Sequence, residues 1–177
     1  MRLRRATVDD AEALAGIHVR GWQWGYRKQL PDDYLRDLSV ERRAEQWRGW
    51  LLDPGDTSTW VAEDDGGEAG RPLGFVAAGP SRDPDPPAGT GEVYAIYVEE
   101  DAAGTGAGAA LLTHACEWLA DRGFDRASLW VLETNARARR FYERAGWRPD
   151  GEVKAEPRED FEMREVRYVA DLAPASE

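Results

Sequence analysis

Three glycines at the mouth of an apolar helix are the first chemical feature of this chain. In Tyr97-Val-Glu-Glu-Asp-Ala-Ala-Gly-Thr-Gly-Ala-Gly-Ala-Ala-Leu-Leu112, Gly104, Gly106 and Gly108 leave the backbone bare where a helix begins. Free N–H groups point outward there, and the helix dipole adds roughly half a positive charge. Such a turn holds an anion without any basic side chain. Glycine also lets a phosphate approach the backbone closely.

Several phosphate-binding patterns compete for this turn. A P-loop ends in Gly-Lys-Ser/Thr, whereas Gly108 is followed by Ala109. A dinucleotide fingerprint is matched by Gly104, Gly106 and Ala109. It should follow its strand directly, yet Glu99 to Ala103 intervene, and no acidic residue ends the next strand at Val131. A glycine turn that serves packing alone is a further alternative.

A longer pattern resembles the GNAT acetyltransferase superfamily. The strand ending Ile96-Tyr-Val98, the acidic residues, the glycines and the apolar helix are similar to its motif A. The run Leu129-Trp-Val-Leu-Glu-Thr-Asn-Ala-Arg-Ala-Arg-Arg-Phe-Tyr-Glu-Arg-Ala-Gly-Trp147 is similar to its motif B. The resemblance implies an acetyl-CoA-dependent N-acetyltransferase, with acyl-CoA in a cleft where strands 92–98 and 126–131 splay apart. The pantetheine would pair with backbone of Ile96 and Val98, which flank Tyr97. The pyrophosphate would sit on N–H groups of Ala103, Gly104, Thr105, Gly106, Ala107 and Gly108. Asn135 and Ala138 would face the pantetheine arm, with Tyr142 near the sulfur. Ala103 departs from the family's Gln/Arg at that position, so one phosphate contact, worth about 1.5–3 kcal/mol, is missing.

Acyl transfer to an amine needs a neutral amine, a polarised carbonyl and a proton for the leaving thiolate. Tyr142, seven residues after Asn135 on one helix face, is the candidate acid; spacing alone favours a core aromatic beside Phe141, and the motif context favours the acid. Glu92 opens the central strand, eleven residues before Ala103. In a histone-type branch of the family a Glu at that spacing is the base; the other reading is a solvated strand-end carboxylate. Period-2 spacing puts Glu92 on one face with Tyr94, Ile96 and Val98. Trp22, Trp24, Tyr26, Tyr34, Tyr94 and Trp130 are the candidate acceptor contacts, holding an amine by cation–π attraction. Trp130 stands where the branch that acetylates ribosomal-protein N-termini carries Glu. His18 and His114 read as structural or solvated, without the clustering of a metal site.

These residues need elements to hold them. Leu3–Ala6 reads as a strand, and Thr7–Asp10 as the start of a helix ending near Gly21. The aromatic stretch 21–31 reads as a loop or broken helix, and 32–38 as a short helical turn. Ser39 opens a further helix carrying Val40, Ala44, Trp47 and Leu51. Strands follow at 59–63 and 73–78 across a turn at 64–70, then a surface loop from Pro80 to Gly91. After strand 92–98 come helix 106–122, strand 126–131, helix 135–145, a strand opening at Trp147 and a final strand from Phe161 to Ala170. The expected fold is α+β: one domain over 1–177, with a mixed, mostly antiparallel sheet of about seven strands flanked by helices.

The chain has 177 residues and a formal net charge of −11. That charge repels nucleic acid and mildly favours cationic substrates. Cys116 is the one cysteine, so no disulfide forms within the chain; its helical, apolar neighbours suggest a structural thiol. No apolar run approaches the roughly 18 residues of a membrane helix, and a cytoplasmic protein is expected. The expectation is therefore an acyltransferase acting on a small-molecule amine with acetyl-CoA, without metal, nucleic acid or membrane partner. A peptide amine as acceptor, or a CoA-binding regulatory domain without catalysis, are the alternatives. A homodimer through the edge of strand 161–170 is a further possibility.

Overall fold

The computed structural model describes residues 1–66, 70–84 and 86–173. The turn expected at 64–70 therefore falls in part, at 67–69, outside the described residues, as does position 85 of the surface loop.

Seven strands form one sheet: β1 (Arg2–Arg5), β2 (Ser58–Glu63), β3 (Pro72–Pro80), β4 (Thr90–Val98), β5 (Arg126–Leu132), β6 (Arg148–Pro157) and β7 (Glu162–Asp171). Their order is β1-β2-β3-β4-β5-β7-β6. Every pairing is antiparallel except β4 with β5. A parallel pair needs a long crossover, which here contains α4 (Ala107–Asp121). Three helices, α1 (Ala11–Gly25), α2 (Asp32–Arg36) and α3 (Val40–Leu52), precede β2, and α5 (Ala136–Arg144) follows β5.

Alternation along the strands sends side chains to two cores. Trp60, Ala62, Val76 and Ala78 face Leu111, Ala115 and Leu119 of α4. Val61, Phe75 and Ala77 face Leu14 and Ile17 of α1 and Trp47 of α3. Each fully buried Leu or Ile there contributes about 1.5–3 kcal/mol. Local signals start the helices as expected. Ser39 Oγ accepts the Arg42 N–H at 3.2 Å, and the Asp10 carboxylate reaches back to the Thr7 N–H at 2.7 Å.

Two expectations are corrected. Helix α1 does not end near Gly21 but runs to Gly25, so Trp22 and Trp24 are helical. Gly21 is tolerated inside it because the Tyr97 ring lies against it: a Cβ there would sit 2.8 Å from Tyr97 Cδ1. Strand β7 is not an edge. It lies between β5 and β6, and the edges are β1 and β6.

Candidate active site

Strands β4 and β5 pair only from Thr90–Glu92 to Arg126–Ser128. Beyond that point they separate, and a cavity of about 380 Å³ opens between them. Val93, Ile96 and Val98 line one wall, and Leu129 and Val131 the other. Part of the divergence has a visible cause. In the pairing with β3, Ala77 faces Ala95 and Ala78 faces Val93, which leaves Tyr94 as an extra, bulged residue. A bulge bends and twists its strand. It also resets the alternation: Val93, Ile96 and Val98 face the α4 side, while Tyr94, Ala95 and Tyr97 face the α1 side. The expected common face of Glu92, Tyr94, Ile96 and Val98 is therefore broken, because one inserted residue exchanges faces.

The glycine turn closes one end of this cleft. Gly106 caps α4 with φ 97°, and Gly104 has φ 84°. Both conformations are open to glycine and costly for other residues. Ala103 and Thr105 donate their N–H groups to Glu100 and Ala102 carbonyls at 3.3 Å, so these two are not the free donors expected. Thr105 and Ala107 do not line the cleft, whereas Ala103, Gly104, Gly106 and Gly108 do. The N–H groups of Gly104, Gly106, Ala107, Gly108 and Ala109 have no backbone partner among the described residues. The space beside Gly104 and Gly106 is open, since a Cβ at either would meet nothing within 4 Å. Open space, free donors and the α4 dipole together fit a pyrophosphate.

Helix α5 supplies the opposite rim. Asn135 Oδ1 caps it by accepting the Ala138 N–H at 3.0 Å, and both residues line the cleft, as does Tyr142. Arg137 lines it too, with its guanidinium 4.3 Å from the centre of the Trp24 ring. Neither the place of Arg137 nor that of Trp24 follows from the sequence pattern. Trp24 was expected at the acceptor and instead faces the glycine-turn cleft, because α1 continues one turn further than expected.

A second cavity, of about 610 Å³, adjoins the first. Tyr26, Tyr94, Ala95, Tyr97 and Trp130 line both. At this junction the Tyr97 hydroxyl accepts from Trp22 Nε1 at 2.8 Å and lies 3.4 Å from the Tyr26 hydroxyl. Burial pushes the phenols of Tyr26, Tyr97 and Tyr142 above the usual range, so all three stay protonated near neutrality. Tyr142 differs in that its hydroxyl has no hydrogen-bond partner among the described residues and is free to donate into the cleft.

Glu92 is 2% exposed and lines the second cavity. It is not a solvated strand end. Oε2 accepts the Arg82 backbone N–H at 2.8 Å, and Oε1 accepts Arg82 Nε at 3.2 Å and Nη2 at 2.6 Å. A carboxylate offers about four acceptor sites, so these three bonds leave about one free.

Two of the aromatics expected to hold an ammonium already carry a cation of the chain itself. Arg82 lies 4.0 Å over Tyr94, and Lys154 and Arg167 lie 4.6 and 5.7 Å over Trp130. The chain's own cations occupy those faces. Tyr34 lines neither cavity and packs edge-on against Phe161 at 5.0 Å. Trp22 and Tyr26 do line the second cavity. So does His18, stacked on Tyr97 at 4.7 Å; burial, with a smaller push from Arg43, lowers its pKa to about 3, so the ring is neutral. Among the described residues no group of three or more His, Cys, Asp or Glu could hold a metal ion, and no helix is long and apolar enough to cross a membrane.

The model of the acetyltransferase (GNAT) family matches residues 19–147, which include the glycine turn, the splayed strands and α5. The chain belongs to this family. It is accordingly an acyltransferase. It is 35% identical over 133 residues to an uncharacterized N-acetyltransferase, YuaI, of Bacillus subtilis (strain 168), a match over 75% of this chain and 72% of that one. It is 40% identical over 148 residues to the mycothiol acetyltransferase of Beutenbergia cavernae, a match over 84% of this chain but only 45% of that longer protein. In fold it is similar to the PaiA N-acetyltransferase of Thermoplasma acidophilum, solved in complex with coenzyme A. The TM-score is 0.75 at 17% identity, over 96% of this chain and 98% of that one. The GNAT fold thus accounts for the mixed seven-stranded sheet and its splayed pair.

Proposed function

We propose that this GNAT protein acetylates a primary amine of a small molecule by direct attack on acetyl-CoA. The junction of the two cavities carries the reading. A thioester reaching along the glycine-turn cleft and an amine in the second cavity would meet at Tyr26, Tyr94, Ala95, Tyr97 and Trp130. No enzyme nucleophile is required. Cys116 lines neither cavity, and burial raises its thiol to about 11. A cavity of about 610 Å³ has the size that small ligands fill. The mycothiol acetyltransferase relative supports a small acceptor too.

Bound acetyl-CoA supplies an activated acyl group. The protein supplies position and protons. Backbone N–H groups of Gly104, Gly106, Ala107, Gly108 and Ala109 hold the pyrophosphate, and Arg137 adds the positive charge that Ala103 does not. Backbone of Ile96 and Val98 pairs with the pantetheine as an added strand, next to Asn135 and Ala138. N–H groups of the bulged β4 polarise the carbonyl. Tyr142 donates to the departing sulfur. Glu92 takes the amine proton through a water on the acceptor site that Arg82 leaves open.

Release of CoA thiol with a panel of small primary amines tests this reading. Turnover with at least one of them, giving the N-acetyl product, is expected. Binding of acetyl-CoA without turnover on any small amine overturns it.

A further inference from the structure

The charges of the second cavity point to the kind of amine it receives. Four cations line it, Arg43, Arg82, Lys154 and Arg158, against four carboxylates, Asp53, Glu92, Glu156 and Glu165. Six of these eight are paired with each other. Arg82 holds Glu92 at 2.6 Å, Lys154 holds Glu165 at 3.1 Å and Arg158 holds Glu156 at 2.7 Å. Arg43 and Asp53 are left without an ion-pair partner among the described residues. They cannot serve each other. Arg43 lies in α3 and Asp53 just past its end, ten positions on, which separates them by about 15 Å along the helix axis. Asp53 lies exposed beyond the end of α3, whereas Arg43 is half-buried in its first turn.

Arg43 is also aimed. On α3 it shares a face with Trp47 and Trp50, four and seven residues on, and all three line the cavity. Its charge is felt by His18 and by Tyr97, which stands at the junction where the reaction is placed. His18, on the same wall, is 8% exposed and has a ring nitrogen, Nδ1, without a hydrogen-bond partner among the described residues. The half-buried Arg43 guanidinium has no acceptor among the described side chains, so a ligand that displaces water from it must supply one. Two of the cavity's aromatic rings, Tyr94 and Trp130, already carry an internal cation on one face.

We propose that the acceptor carries a carboxylate, read by Arg43, and an apolar side chain, received by Trp47, Trp50 and Trp22: the cavity is built for an apolar amino acid. This rests on the acetyl transfer proposed above. A single guanidinium matches the single charge of a carboxylate and can grip it with two parallel hydrogen bonds. A phosphate, with nearly twice that charge, would call for a second free cation. The net charge of −11 would by itself favour cationic amines; the local pairing decides otherwise.

The test compares matched pairs, phenylalanine with 2-phenylethylamine and leucine with isopentylamine, in the wild type and in Arg43→Gln and Arg43→Lys. The wild type should prefer the amino acid of each pair, by kcat/KM. In Arg43→Gln that preference should shrink about 10- to 100-fold, mainly through KM for the amino acid. Arg43→Lys should retain part of it. Equal or better turnover of the decarboxylated amines by the wild type overturns the assignment while leaving acetyl transfer standing. So does a preference that Arg43→Gln does not alter. No turnover of either member of either pair, in a protein that acetylates other amines, also overturns it. No turnover of any amine overturns the transfer reaction itself.

Discussion

Tyr142 combines two properties seldom found together in a buried phenol: its pKa is raised by burial, and its hydroxyl has no internal partner among the described residues. Tyr26 and Tyr97, half-buried, spend their hydroxyls on each other and on Trp22. Replacing Tyr142 with Phe should lower kcat by about 100-fold or more, with little change in the KM for acetyl-CoA. An unchanged kcat, with chemistry limiting the rate, would remove Tyr142 as the acid. Glu92→Gln should depress the rate most at low pH, where the largest fraction of the acceptor amine is protonated. A pH–rate profile identical to the wild type would count against Glu92. Residues such as Asn135 and Tyr142 were legible in the sequence because their motif fixes them on one helix face. The partner of Glu92 was not. Arg82 comes from a loop with no periodicity to read, and only the folded chain brings it to the start of β4. The same holds for Trp130 and Tyr94, whose faces are taken by Lys154 and Arg82.

Among the elements, the glycine turn with α4 gives the clearest case. Gly106 holds a left-handed conformation at the helix cap, and a β-branched residue there must strain the turn or move it. Gly106→Val should therefore raise the Kd for acetyl-CoA about tenfold or more, as seen by titration calorimetry. A Kd equal to the wild type would mean that the turn does not hold the coenzyme. The start of α3 at Ser39 was legible through its capping residue, and Thr7 marked the turn Val8–Asp10 that leads into α1. The end of α1 was not, because Gly21 reads locally as a stop, whereas the close approach of Tyr97 makes it a packing residue. The bulge at Tyr94 was hidden for a different reason. It exists only as a mismatch with β3, and nothing within Glu92–Val98 alone records it.

Across the whole molecule, the fold class was legible and the order of the last strands was not. Strand β7 pairs with β5 over the full length of β5 and β6 closes the edge, a choice between hairpin partners that alternation cannot make. That arrangement leaves β4 with no neighbour beyond Glu92 on the β5 side, and the two cavities meet there. In the proposed reaction acceptor and donor meet there, and Cys116 lines neither cavity. The central claim is direct transfer between two substrates bound at once. Initial rates measured while acetyl-CoA and an accepted amine are both varied test it most directly. Intersecting double-reciprocal lines, the pattern of a ternary complex, are the predicted result. Parallel lines, together with an acetylated enzyme isolated in the absence of amine, would contradict it.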